Sequence, residues 1–139
     1  MSDKNQIHSF EDLESWKACR EIRNYVSEII KKFPDYEKYA LTDGMRRASR
    51  SATENIAEGF GRYHHQENIQ FCRMSRGSVF ELMDQFITAL DENYITREEY
   101  EKGRDLLNRG KALLNGYINY LRKAKTRDNN LTSNVTPNA

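Results

Sequence analysis

The stretch REEYEKGRDLLNRGKALLNGYINYL, residues 97–121, decides the fold class. Tyr100, Gly103, Leu107, Gly110, Leu114, Tyr117 and Leu121 recur in unbroken alternating steps of three and four. That spacing is the period of a helix with one face turned to a core. Leu106, Leu113 and Tyr120 widen the stripe. Thr96 stands ahead of it as N-cap, with Glu98, Glu99 and Glu101 near the positive end of the helix dipole. Gly103, Gly110 and Gly116 each cost about 1 kcal/mol against alanine inside a helix. Close approach of neighbouring helices is therefore expected at all three. Tyr117 and Tyr120 are assigned to the core or an interface rather than to base stacking.

Upstream the same period recurs three times. The first segment is expected to start at Ser9 as cap, with Asp12 completing a near capping box. It carries Phe10, Leu13, Trp16, Cys19, Ile22, Val26, Ile29 and Phe33, and Pro34 ends it. The second starts at a Thr42 cap, carries Leu41, Met45, Ala48, Ala52, Ile56 and Gly59, and reaches residues 61–63. The third runs from about Gln66 to Glu92, with Phe71, Ser75, Ser78, Leu82, Phe86 and Ala89 on one stripe. Phe80, Met83, Ile87 and Leu90 lie on another side of it. A helix apolar nearly all round is expected to be buried nearly all round, so these four are read as an interface between copies of the chain. No alternating strand pattern occurs. Four amphipathic helices with short connections predict an all-α, antiparallel up-down-up-down four-helix bundle.

The 139 residues suit one domain. Its expected parts are a flexible N-terminus at 1–8, the bundle at 9–126 and a disordered polar tail at 127–139. Lys+Arg total 22 and Asp+Glu 21, so the net charge of +1 excludes a polycationic tail protein. No apolar run approaches the roughly 20 residues that span a bilayer, and residues 1–9 lack a signal-peptide core, so a cytoplasmic protein without membrane contact is expected. Cys19 and Cys72 fall on apolar stripes and are assigned to the core.

Catalytic signals are missing. A di-metal bundle site needs Glu-x-x-His pairs, and none precedes His8, His64 or His65. No phosphate-loop or dinucleotide glycine pattern stands in its required context. The expectation is a non-enzymatic protein with no catalytic residues, metal or cofactor.

Charge is uneven along the chain. Between Arg109 and Arg127 stand Arg109, Lys111, Arg122, Lys123, Lys125 and Arg127 with no acid among them. Some C-terminal cations answer the helix dipole, but six exceed that need and suggest a phosphate-binding band. Arg46, Arg47 and Arg50 cluster on the second segment and join that band as candidate nucleic-acid contacts. Asn55 and Glu58, with Ser78 and Glu81 on the third, are read as a polar network tying two helices. The alternatives are a nucleic-acid or partner contact, or catalytic carboxylates.

Taken in order, Phe10-Glu-Asp-Leu13 with Trp16-Lys17, Phe33-Pro34, Tyr39-Ala-Leu41-Thr42, Arg46-Arg47-Ala48, Asn55-Ile-Ala-Glu-Gly59, Gly61-Arg62 and Gly77-Ser78 with Glu81 resemble the bacterial four helix bundle protein family. That family includes proteins encoded in 23S rRNA intervening sequences, sometimes labelled S23 ribosomal proteins. Accessory variability proteins of diversity-generating retroelements look like relatives. The resemblance covers roughly residues 9–125. It departs from the family pattern at Gly44, Thr53, His64 and Asn68, so the turn between the second and third helices is not carried over. It implies a homopentamer that binds structured RNA, or a scaffold that recruits a protein such as a reverse transcriptase.

Overall fold

The computed structural model describes residues 6–135, with side chains described through Leu131. The Ser9–Asp12 box forms: Ser9 Oγ accepts from the Glu11 amide, and Asp12 Oδ2 accepts from the Ser9 amide at 3.1 Å. It closes only the 3-10 turn Phe10–Asp12. Leu13 then turns extended and is buried, so helix α1 begins later than expected and spans Glu14–Ile29. Its end tightens into a 3-10 turn, and Phe33 is extended ahead of Pro34 as expected.

Helix α2 spans Leu41–Phe60. Thr42 does not cap it: the threonine lies in the first turn and is buried, while Glu37 Oε1 accepts from the Leu41 amide at 3.2 Å. Helix α3, His65–Asp91, ends through Asn93 in the left-handed region at φ 63°. The Tyr94 amide there donates back to Ala89 O at 2.9 Å, a closure that favours Gly or Asn. Helix α4, Arg97–Val135, opens on the expected Thr96 cap, which Glu99 completes as a reciprocal pair. The Glu99 amide donates to Thr96 Oγ1 at 3.1 Å, and the Thr96 amide to Glu99 Oε1 at 2.8 Å.

Helix α1 packs on α2 and α4, α2 on α3, and α3 on α4, while across the diagonal only side chains meet, as Tyr25 of α1 does with Phe86 of α3. Joined by short connections, this ring is the antiparallel up-down-up-down bundle. Among the described residues there is no strand. Cys19, Val26, Met45, Ala52, Ile56, Cys72, Val79, Leu82, Leu107 and Leu114 are wholly buried at its centre. Ser75 Oγ, also buried, donates to Ala52 O at 2.6 Å and ties α3 to α2.

Two of the three α4 glycines mark close approach. A Cβ on Gly103 would lie 2.8 Å from Phe86 Cδ1, and one on Gly110 would lie 2.7 Å from Ile22 Cδ1. Gly116 departs from expectation, because a Cβ there meets nothing within 4 Å. A further close approach is at Gly59, where a Cβ would lie 2.7 Å from Asn68 Oδ1.

The second stripe of α3 is not one exposed face. Met83 is buried in the core and Leu90 is half-buried against it, whereas Phe80 (51%) and Ile87 (40%) are exposed. At roughly 100° per residue, Met83 and Leu90 fall on the flank of the core stripe and the other two lie further round. The tail also differs from expectation, since α4 continues through Val135. Extending a formed helix costs little per residue, and two side contacts hold the extension. His65 Nε2 lies 2.8 Å from Asp128 Oδ2, and Lys125 Nζ donates to Gln66 Oε1. Residues 136–139 of the expected tail, and 1–5 of the expected flexible N-terminus, lie outside the described residues.

Candidate nucleic-acid interface

Helix α4 outruns the bundle. Ala124 is buried, but every residue from Thr126 to Leu131 is exposed. The helix past Ala124 is about 16 Å long at ~1.5 Å per residue. Around this projection stand Arg122, Lys123 and Arg127, all exposed. Among the described residues no carboxylate pairs with any of the three. Among the described residues Arg122 reaches Asn119, at 3.4 Å. Lys125 is half-buried and engaged by Gln66.

The other two members of the expected band stand apart. Arg109 lies at 4.0 Å from Glu21 on α1, and Lys111 sits over the Phe80 ring, 5.6 Å from its centroid. They precede Arg122 by 13 and 11 residues in sequence, about 20 and 16 Å along the helix, and that axial distance takes them away from the projecting end.

Of the α2 arginines, Arg47 pairs with Asp43 at 3.0 Å. Arg46 and Arg50 instead line a cleft of about 130 Å³ on the α1–α2 seam, with Arg23, Asn24, Ser27 and Ser49. Arg23 donates to Thr53 Oγ1 at 3.1 Å. Its place beside the other two arginines depends on the register of two helices, and the sequence alone carries no signal for it. This cleft lies in the N-terminal half of α2, away from the end where α4 projects.

The expected polar network forms in part, through a residue not singled out. Asn55 Nδ2 donates to Ser51 O and Ser51 Oγ, at 2.9 and 2.8 Å, and Ser78 Oγ lies 3.0 Å from Ser51 Oγ. Ser51 thus joins Asn55 to Ser78 across α2 and α3. Glu58 instead pairs with Arg62 at 2.8 Å, and Glu81 accepts from Gln85 at 3.4 Å within its own helix. Each carboxylate is exposed and outside the network.

Where α2 turns into α3, aromatic side chains gather against α4. Tyr63 is 99% exposed and Tyr120 60% exposed, so Tyr120 is not part of this chain's core. Tyr117 is half-buried and stacks on Tyr120, with centroids 6.2 Å apart and planes 11° from parallel. Its hydroxyl accepts from Asn68 Nδ2 at 3.1 Å. Burial pushes that phenol up to about 12, so it stays protonated. Arg62 covers the Phe71 ring at 5.1 Å beside the same turn. Burial also raises the Cys19 and Cys72 thiols to about 12, which leaves both inert in the core.

Among the described residues no group of three or more His, Cys, Asp or Glu could hold a metal, and no helix is long and apolar enough to cross a membrane. Residues 11–116 match the family model described as 23S rRNA-intervening sequence protein. The match takes in α1, α2 and α3 and runs into α4, and stops short of Arg122. No curated protein matches the chain.

Proposed function

The chain belongs to the 23S rRNA-intervening sequence protein family, and we propose that it is a non-enzymatic, self-associating protein of the cytoplasm that binds structured RNA. The observation that carries this reading is the projecting end of α4, where Arg122, Lys123 and Arg127 have no carboxylate partner among the described residues. Exposed cations without a carboxylate partner among the described residues are available to a phosphate backbone, and their binding releases counterions. The chain's net charge of +1 would not supply such affinity by itself.

The test is the salt dependence of RNA affinity. Each lost phosphate contact shallows the slope of log K against log salt by about 0.7 on a single strand and about 0.9 on a duplex. Lys123→Glu with Arg127→Glu removes two contacts, so the slope should shallow by about 1.4–1.8. An unchanged slope would remove the α4 projection from the interface.

Self-association is supported by Phe80 and Ile87, two large apolar side chains exposed on one side of α3. A second copy covering them would withdraw that surface from water. Light scattering at micromolar concentration should report an oligomer, the expected species being a pentamer. Phe80→Glu with Ile87→Glu should give smaller species, while Gln70→Glu on the same helix should not. A monomeric wild-type protein would refute the assembly.

A further inference from the structure

The turn between α2 and α3 and the facing side of α4 enclose a cleft of about 440 Å³. That volume falls within the roughly 300–1,000 Å³ of small-molecule sites. Leu13, Phe60 and Leu121 contribute apolar lining, and Tyr63, Tyr117 and Tyr120 contribute aromatic rings. Polar groups are few and placed. Tyr117 accepts its bond from Asn68 and so keeps its own O–H proton for an acceptor in the cleft. His64 is exposed and adds a ring nitrogen. Past Tyr63 and His64 a second, polar hollow continues to Lys125 and Asn129. Lys123 and Arg127, three and seven residues beyond Tyr120, stand on the same side of α4 as its ring and carry positive charge on from the cleft.

An aromatic shelf open to water, a proton donor at its side and a cationic face continuing from it match one kind of occupant. We propose that this cleft seats an unpaired nucleobase of single-stranded RNA, stacked on Tyr120 and Tyr63, while the adjoining phosphates run along Lys123 and Arg127. Every base has a stacking face, so the seat selects for unpaired strand rather than for sequence. A base held in a duplex cannot enter. The inference rests on the RNA-binding reading above and adds the form of RNA recognised.

The test uses a labelled oligoribonucleotide of about 12 nucleotides, within the site sizes of single-strand grooves, and the same strand annealed to its complement. Wild-type protein should bind the single strand more tightly. Tyr120→Ala should weaken single-strand binding by roughly 5- to 150-fold, the range for one lost stacked base. Its affinity for the duplex should not change, and Tyr120→Phe should bind as wild type does. Tyr120 is exposed, so circular dichroism should show all variants folded. If Tyr120→Ala and Tyr63→Ala both bind the single strand as wild type does, the base seat is overturned and RNA binding by α4 stands. Equal loss on single strand and duplex would also overturn the seat, because the ring would then serve a contact common to both. If wild type binds neither form, both the seat and the RNA-binding reading fall.

Discussion

Alanine at Gly103 and alanine at Gly116 make the same local change in the same helix and should have opposite effects. Inside α4 each substitution recovers roughly 0.5–1 kcal/mol of helix propensity. At Gly116 nothing lies within 4 Å of the new Cβ, so the gain is kept and the variant should be stabilised by about that amount. At Gly103 the Cβ would lie 2.8 Å from Phe86 Cδ1 and 3.0 Å from Phe86 Cζ, closer than real Cβ contacts allow. The Phe86 ring cannot swing clear freely. It is 1% exposed and lies parallel to Tyr25, with centroids 6.2 Å apart. Overpacking of this kind costs about 1–3 kcal/mol. Set against the propensity gain, Gly103→Ala should range from neutral to about 2.5 kcal/mol destabilised. The difference between the two variants, about 1–3 kcal/mol, isolates packing from propensity. Urea unfolding followed by circular dichroism measures it, at one protein concentration throughout so that assembly contributes equally. If Gly103→Ala were as stable as Gly116→Ala, α3 and α4 would not approach as described. If Gly116→Ala were the destabilised one, its face would be covered by something outside this chain.

The buried thiols should be silent: at pH 8 neither Cys19 nor Cys72 should react with a disulfide reagent in the folded protein, and both should react in denaturant. Labelling of the native protein at the rate of a free thiol would refute their placement. Glu99 offers a pH test, because a hydrogen bond from Lys32 and then the Thr96 amide hold its carboxyl below the usual 4.5. A lowered folded value stabilises above the ordinary carboxylate range and is lost as pH falls through the folded value. Glu99→Gln should therefore flatten the acid limb of stability against pH, and an unchanged limb would show that the Lys32 pair does not persist.

Much of the bundle was legible because its core residues repeat at the helical period. Leu107, Leu114 and Leu121 declare the inner face of α4, and Thr96 with Glu99 declares its start. Capping residues were less reliable where packing competes. Ser9 and Asp12 form their box, yet Leu13 turns into the core and leaves the box on a single turn. Thr42 loses its capping role to Glu37, four residues before the α2 start, because the connection folds back. The extent of α4 was hidden for another reason. Its polar end has no apolar stripe, and the contacts that hold it come from His65 and Gln66, about sixty residues away in sequence. The candidate site was legible as a list of charges but not as a surface. Burial separates Met83 from Phe80, pairing removes Arg47 and Arg109, and only the fold brings Arg23 beside Arg46 or Tyr63 beside Tyr120.

The most direct test is fluorescence anisotropy of a structured RNA and a matched duplex DNA, titrated with wild-type protein at two salt concentrations. Tight binding that prefers the RNA and weakens steeply with salt is the predicted result. Binding to the RNA no stronger than to heparin, or an affinity indifferent to salt, would contradict an RNA-binding role and turn attention to protein partners.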